Sequence, residues 1–466
     1  MSPPREVNVT DLVDASRLGR SQLGVFVLLG GCLVMDGFDV QAMGYAAPAL
    51  IRDWGIPNAA MGPVFGAALL GLFLGSIVFS MVADRMGRRP VLLGATLVFS
   101  AFTLLTARTA SMPELLAVRF AAGLGLGAMM PNATALVGEY SPRRIRVATM
   151  MIVTNGFMLG AVLGGFLSAW LVPAHGWRAV FTFGGLVPLL LLPAMVRWLP
   201  ESLQFLVLRG RPPGEIARWL ARIGVPAAAP GEEVRYAVRE EGRRGLPLPH
   251  LFREGRAAAT ALLWVANFAN VLNAYFVSSW LPTVVRDAGF ATSTAVLVGT
   301  AVQVGGALGT IVLGLVLQRL GFVPVLFACF AGAAVNLALI GQPGLPLAAL
   351  VAVAFLAGWG IFGGQPGLNA LAATVYPTDL RSTGIGAALG IGRFGAILGP
   401  LLAAELMRRQ WSSEELFHAA ALPAVLSALA VLAMRWVLGG DANRRDPVSA
   451  PGARRSRSPR ASPPPR

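Results

Sequence analysis

The stretch CLVMDGFDVQAMGYAAP, residues 32–48, lies inside an apolar run that is long enough to cross a lipid bilayer. It carries two acids, Asp36 and Asp39, which share one helical face because they are three residues apart. A charge at this depth costs several kcal/mol unless it is paired, hydrated or protonated. The acids therefore indicate a functional pair. The alternative is a structural pair that is satisfied by helix capping or by an arginine on a neighbouring helix.

The composition of the whole chain agrees with a membrane setting. Of its 466 residues, 55% are hydrophobic and 13% are charged, and the mean hydropathy is +0.65. These values predict a polytopic membrane protein rather than a soluble domain. The sequence contains no lysine and is rich in Ala, Gly and Pro, which is typical of a GC-rich bacterial gene.

Apolar runs of about 20 residues divide the chain into twelve predicted membrane helices in an all-α fold. They lie near 23–50, 60–83, 91–108, 113–137, 147–172, 178–198, 257–284, 294–317, 323–341, 346–370, 380–407 and 414–438. The predicted organisation is an N-terminal segment (1–22), a six-helix bundle (23–199), a linker (200–256), a second six-helix bundle (257–440) and a basic Pro/Ser/Arg-rich tail (441–466) that cannot bury a core.

Arginine is concentrated in the even-numbered connections, in the linker and in the tail. This bias predicts that both termini face the cytoplasm of a bacterial inner membrane. Arg178, Arg408 and Arg409 are the exceptions. The net charge of +15 therefore indicates topology rather than nucleic-acid binding.

Three weak internal matches at spacings of 234 to 236 residues predict a duplicated six-helix unit, whose interface near the bilayer midplane is the expected substrate site. The repeat relates Asp36 to Asn270 and Asp39 to Asn273. Buried amides in a membrane bond either another helix or a ligand, and both alternatives remain open.

The loop ADRMGRR, residues 83–89, resembles the signature loop of the major facilitator superfamily. Asp84 at the end of one helix is predicted to pair with arginines, including Arg85 and Arg88, and to lie at the N-terminus of the next helix after Gly87. Such a contact would act as a conformational latch. In the second half Gln318 replaces the acid, so that copy cannot form the same ionic contact.

A more specific resemblance rests on DGFD at 36–39, on Arg119 with GLGLG at 123–127, and on the segment from Tyr376 to Arg393. Together these are similar to the aromatic acid:proton symporter family, whose members import benzoate-like and hydroxybenzoate-like acids. The resemblance implies that Asp36 and Asp39 are needed for transport and that Arg119, Glu139 and Arg393 are sensitive positions. Glu139 is expected to stabilise a gate with Arg143 to Arg146, and Arg381 is a further gating candidate.

The expected ligands of a permeating carboxylate are fixed cations. Arg393 is the first candidate, although it could instead snorkel to the membrane surface. Arg119 could bind substrate or could pair with Asp39. Tyr275 is preferred for stacking on a planar ring, with Phe38 as a second candidate. Asp39 is the better protonation candidate if it faces the cavity, which leaves packing or gating to Asp36.

These features predict a monomeric secondary transporter that imports an aromatic carboxylate with protons, using the proton gradient and no cofactor or metal. Alternatives are a symporter for another small organic acid, an efflux carrier or, more remotely, a non-transporting receptor. An enzyme is disfavoured because the three histidines have no metal-ligand spacing. The sequence also lacks an ATP-binding Walker motif.

Overall fold

The computed structural model describes residues 5–225, 234–238, 248–253, 255–376 and 380–438, with only the backbone described for Arg5, Ser382 and Leu438. Twelve helices in this part of the chain are long and apolar enough to cross a membrane. In order, spans 1 to 12 are Arg20–Trp54, Asn58–Met86, Arg88–Thr106, Met112–Tyr140, Arg146–His175, Trp177–Trp198, Ala257–Asp287, Thr292–Leu320, Phe322–Ile340, Leu347–Val375, Thr383–Arg408 and Ser413–Val437. The predicted helices are confirmed. The predicted tail, 441–466, lies outside the described residues.

The turn between spans 2 and 3 requires a glycine. Gly87 has a φ of 100°, and a Cβ there would overlap the carboxylate of Glu201. Gly321 occupies the matching turn between spans 8 and 9, with a φ of 83°. L-residues with side chains rarely adopt this conformation, so each glycine allows two long helices to be joined by a single residue.

The two halves share their helix packing, as the internal repeat predicts. A Cβ at Gly71 of span 2 would overlap the carbonyl oxygen of Phe120 in span 4. A Cβ at Gly305 of span 8 would overlap the carbonyl oxygen of Phe355 in span 10 in the same way. Small residues therefore bring the backbones of these span pairs into contact at corresponding positions of each half.

The N-terminal segment and the linker lie on the same face of the molecule. Strand β1 (Arg5–Asn8) pairs in parallel with strand β2 (Val234–Ala237). These four-residue strands were not predicted, because they are too short to show a periodicity of two in the sequence. We call the side that carries the N-terminal segment and the linker the linker face, and the other side the far face.

Two short helices lie in the linker. Leu203–Leu208 begins at Ser202, whose side chain accepts a hydrogen bond from Phe205 N. Pro213–Arg222, which we call the linker helix, covers the helix-like patch expected at 215–222 and buries Ile216 and Leu220. The linker is therefore packed against the first half rather than extended.

Hydrogen bonds join described residues of the two halves near the middle and at the far face. Gln41 Nε2 donates to Ser278 Oγ near the middle, over 3.2 Å. At the far face, Asn58 Nδ2 donates to Asp287 Oδ2 and Arg286 Nη1 donates to the carbonyl oxygen of Pro48, each over 2.5 Å. Between the middle of the molecule and the linker face, apolar side chains of spans 1, 5 and 8 instead line a crevice of about 700 Å³. The halves are therefore closed together at the far face and separated towards the linker face.

Candidate functional site

Asp39 and Arg119 form a buried ion pair between spans 1 and 4. Arg119 Nη2 donates to Asp39 Oδ2 over 2.9 Å, and Nη1 donates to Oδ1 over 3.3 Å. Thr103 of span 3 donates to the same Oδ1 over 2.8 Å. The side chains of the pair are 0% and 1% exposed. Span 1 therefore turns Asp39 towards Arg119, and the pairing considered above is the arrangement observed.

Asp36 has a different environment, although it lies less than one helical turn before Asp39. It is 3% exposed, and its Oδ1 has no hydrogen-bond partner among the described residues. The guanidinium of Arg393 and the carboxylate of Asp39 are the charges that act on it. A buried carboxylate without a hydrogen bond is costly as an anion, so Asp36 is the unsatisfied member of the acidic pair.

Arg393 lies near the middle of span 11, where it is half-buried. It forms no hydrogen bond or ion pair with any described residue. Tyr275 of span 7 is within electrostatic range of both Arg393 and Asp36. Asp36 of the first half therefore lies near Arg393 and Tyr275 of the second half, at the interface between the halves.

Amide side chains of spans 7 and 10 form a network in the second half. Asn270 Nδ2 donates to Gln365 Oε1 over 2.8 Å and to Ile361 O over 3.0 Å. Gln365 Nε2 donates to Asn267 Oδ1 over 2.9 Å and to Asn369 Oδ1 over 3.2 Å. Asn270 therefore bonds a neighbouring helix, which is one of the two alternatives given above for these amides.

Asn273, the repeat partner of Asp39, is fully buried and neither atom of its amide has a hydrogen-bond partner among the described residues. Asp39 is matched by an arginine, whereas Asn273 carries no charge that would require one. Both halves therefore have a polar residue at this position of the repeat, but the residue is charged in the first half and neutral in the second.

A small cavity of about 30 Å³ lies between spans 1, 2, 4 and 7. Its polar lining residues are Gln41, Arg119, Tyr275, Ser278 and Ser279, and the remainder of its wall is mainly apolar. This volume holds one or two water molecules. A planar aromatic acid is larger than this cavity.

Phe38 does not face this interface. Its ring packs against Phe183, with centroids 5.7 Å apart, and lies at the Cβ positions of Gly164 and Gly184. Phe38 therefore fills the space between spans 1, 5 and 6 inside the first half. This position is apart from Arg393 and Tyr275, which lie at the interface between the halves.

The loop between spans 2 and 3 is capped by Glu201 and not by Asp84. Glu201 Oε1 accepts hydrogen bonds from Arg88 N over 2.8 Å and from Arg89 N over 3.2 Å. Its carboxylate thus occupies the N-terminus of span 3, the place predicted for Asp84. Asp84 is exposed at the end of span 2 and forms no hydrogen bond or ion pair through its carboxylate with a described residue. The prediction that Asp84 caps span 3 is wrong, because the linker supplies a nearer acid.

Glu139 also has a partner other than the expected one. It forms an ion pair with Arg88 and accepts a hydrogen bond from Ser202 Oγ over 2.6 Å. Arg146 instead donates to Asp14 of the N-terminal segment over 2.6 Å. Glu139 therefore joins span 4 to span 3 and the linker. Arg85 and Arg381, the remaining gating candidates, are exposed.

Twelve spans in two similar halves, with charged and amide side chains at their interface, define a membrane transporter of the two-bundle type. The family model of the Major Facilitator Superfamily matches residues 29–227 and 263–464. The chain belongs to this superfamily and is a multi-pass membrane protein.

Individual relatives indicate which kinds of transporter the chain is similar to. The chain is 39% identical to a gallate transporter of Pseudomonas putida, over 93% of this chain and 96% of the relative. It is 37% identical to the 4-hydroxybenzoate transporter PcaK of the same organism, over 94% and 98%, and 31% identical to a benzoate transport protein of Acinetobacter baylyi, over 92% of each. All three are named as transporters, so the chain is not an enzyme.

The fold is also similar to that of a solved transporter. A partially occluded inward-open structure of the xylose transporter XylE from Escherichia coli matches with a TM-score of 0.68, over 88% of this chain and 97% of that chain. Its sequence is 16% identical, so this likeness concerns the fold.

Sequence reasoning missed Thr103, Glu201, Gln365 and Ser278. Glu201 stands in the segment LPES, residues 199–202, where the sequence does not show which distant residues its carboxylate contacts. Gln365 and Asn369 are the two amides of a mainly apolar helix, and polar residues in such a helix are a usable signal for an interior position. The two hydroxyl residues carry no such signal, because serine and threonine are common in membrane helices.

Proposed function

We propose that this protein imports an aromatic carboxylate together with protons across the bacterial inner membrane, by alternating access. The observation that carries the proposal is the half-buried Arg393, which lies at the interface opposite Asp36 without a hydrogen bond or ion pair to a described residue. Relatives that transport gallate, 4-hydroxybenzoate and benzoate support the substrate class.

In this proposal Arg393 binds the substrate carboxylate. A guanidinium presents a planar pair of N–H donors that matches a carboxylate, and a partly dehydrated site strengthens the contact. Tyr275 lies within electrostatic range of Arg393, so it is positioned to contact the ring or a ring hydroxyl. The hydrogen-bonded amides of Asn270 and Gln365 lie in the same half.

Asp36 is the proposed carrier of the coupled proton. While Asp36 is ionised, its charge competes with the substrate for Arg393; when it is protonated, Arg393 is free to bind the anion. Proton and substrate therefore favour each other's binding, because the coupling between two sites is reciprocal. Asp39 is already matched by Arg119 and Thr103, so we assign it to the framework of the first half.

We place the linker face in the cytoplasm, because the arginines of the even-numbered connections lie on that side. The arrangement described above is then closed to the outside and separated towards the cytoplasm. Opening to the outside would require breaking the contacts of Asn58 and Arg286 at the far face.

The direct test is uptake of labelled 4-hydroxybenzoate, gallate and benzoate into vesicles that contain the purified protein, with an imposed proton gradient. Short dicarboxylates serve as competitors. We expect accumulation of at least one aromatic acid, and loss of that accumulation when the gradient is collapsed. Uptake that does not depend on the gradient would contradict proton coupling. Preference for a dicarboxylate would contradict the proposed aromatic substrate class.

The role of Arg393 is tested by Arg393→Gln in the same vesicles. We expect uptake to fall at least tenfold, since the fixed cation is lost. Arg408→Gln is the matched control, because Arg408 is exposed and pairs with Glu405 near the far face. Unchanged uptake by Arg393→Gln would show that the substrate carboxylate is bound elsewhere.

A further inference from the structure

A second cavity, of about 600 Å³, lies where the linker helix meets spans 1 and 6 at the linker face. Three arginines line it: Arg20 at the start of span 1, Arg197 at the end of span 6, and Arg222 of the linker helix. Its lining contains no acidic side chain of the described residues. We call this space the linker cavity.

The charges of the linker cavity are not matched within the described part of the chain. None of these three arginines forms a hydrogen bond or an ion pair there with a described residue; Arg222 lies over the ring of Trp219, 4.5 Å from its centroid. Three guanidinium groups around one cavity repel one another unless an anion lies between them. The cavity therefore has the electrostatics of an anion site.

The floor of the cavity is apolar and continues into the membrane region. Val25 and Leu28 of span 1 line it one and two turns below Arg20. Trp198 is 62% exposed beside it, and tryptophan at the end of a span is typical of the headgroup level of a bilayer. A soluble anion would leave this apolar wall in contact with water, whereas a lipid would cover it with its acyl chain.

We propose that the linker cavity binds an anionic phospholipid, with the phosphate between Arg20, Arg197 and Arg222 and an acyl chain along Val25 and Leu28. Guanidinium groups bind phosphate oxygens in pairs, and basic pockets between membrane helices bind acidic headgroups. A zwitterionic lipid is disfavoured because none of the described residues that line the cavity is an acid that could match its amine.

Such a lipid would also hold the linker helix in place. Arg222 and Trp219 belong to that helix, whereas Arg20 and Arg197 belong to the membrane helices. The guanidinium of Arg89 bridges the same elements: it donates to Val196 O over 2.6 Å and lies 5.9 Å from the ring centroid of Trp219. Bound lipid should therefore stabilise the linker against the first half, whatever substrate is transported.

The test is native mass spectrometry of the full-length protein in detergent, with phosphatidylglycerol and phosphatidylcholine added at equal concentrations. We expect the wild type to retain phosphatidylglycerol at least about tenfold more tightly. The triple variant Arg20→Gln/Arg197→Gln/Arg222→Gln should lose that preference, since each arginine near a membrane surface contributes a several-fold increase in affinity for acidic lipid.

The matched control is Arg17→Gln/Arg218→Gln/Arg435→Gln, which removes three exposed arginines that do not line the cavity. It should retain phosphatidylglycerol within about twofold of the wild type. Equal weakening by the control would mean that net charge, not the cavity, attracts the lipid, and would overturn the proposal. Equal retention of phosphatidylcholine by the wild type would overturn it as well.

Two further arms keep the result decisive. Arg222→Gln alone changes one exposed residue of the linker helix and should weaken phosphatidylglycerol binding about fivefold, whereas Arg218→Gln on the same helix should not. Inorganic phosphate is the probe for a soluble anion. If phosphate displaces the lipid at a comparable concentration, the cavity binds free anions and the lipid assignment is wrong.

Discussion

At the scale of single residues, the two acids of span 1 differ in the hydrogen-bond partners of their carboxylates. Asp39 receives two hydrogen bonds from Arg119 and one from Thr103, whereas no described residue donates to Oδ1 of Asp36. Removing one member of a buried pair leaves the other charge uncompensated, which costs more than removing both. This difference leads to separate predictions for the two acids.

For Asp39 we expect an effect on stability. Asp39→Asn should lower the free energy of unfolding by about 3 kcal/mol, because Arg119 is then left as a buried, unmatched cation. The double variant Asp39→Asn/Arg119→Gln should recover part of this loss. Thermal unfolding in detergent measures both. A single variant as stable as the wild type would mean that the ion pair contributes nothing to the fold.

For Asp36 we expect an effect on coupling. Asp36→Asn mimics the protonated acid, so it should still bind 4-hydroxybenzoate but should no longer accumulate it against a gradient. Counterflow, which exchanges labelled for unlabelled substrate without net proton movement, should therefore persist while proton-driven uptake falls at least tenfold. Full proton-driven accumulation by this variant would assign the proton to another group.

At the scale of helices, span 1 depends on its close contact with span 5. A Cβ at Gly37 would overlap the backbone of Phe157, and one at Gly160 would overlap the backbone of Val34. Small residues allow these backbones to touch, and this contact fixes the rotation of span 1. That rotation in turn directs Asp39 towards Arg119 and Phe38 into the first half.

Gly37→Leu should therefore separate spans 1 and 5, with lower uptake and a lower midpoint of thermal unfolding. Gly94→Leu is the matched control, since Gly94 is exposed on span 3 and a Cβ there meets no atom within 4 Å. We expect the control to transport normally. If Gly37→Leu also transports at the wild-type rate, the rotation of span 1 is not set by this contact.

At the scale of the whole molecule, the interface is closed at one face and separated at the other. Asn58 meets Asp287 at the far face, while the crevice between spans 1, 5 and 8 lies on the linker-face half. Alternating access by rocking of two halves predicts that distances across the two faces change in opposite directions.

Spin labels test this prediction. One pair at Val147 and Leu320, both exposed at the linker-face ends of spans 5 and 8, reports on one face. A pair at Pro57 and Ala288, which are exposed and lie next to the contact between Asn58 and Asp287, reports on the other. In a background without Cys32 and Cys329, we expect conditions that favour the outward-open state to shorten the first distance and lengthen the second. Changes of the same sign at both faces would contradict a rocking motion.

Much of the fold could be predicted from the sequence. The twelve spans follow from hydropathy, which is summed over about twenty consecutive residues, and the duplication follows from a constant spacing along the chain. The close glycine contact of span 1 has a similarly local cause, since the missing side chain at Gly37 leaves room for a neighbouring helix. These are properties of neighbouring residues, so no knowledge of distant contacts is needed.

The partners of individual side chains could not be predicted in the same way. Asp39 and Arg119 are 80 residues apart, and Glu201 reaches Arg88 across 113 residues. Whether Asp39 faces a cavity or an arginine, and whether Phe38 faces substrate or Phe183, depends on the rotation of span 1 about its axis. Backbone contacts between spans set that rotation. Because span 1 is apolar on nearly every side, its sequence pattern does not show which side faces which neighbouring span.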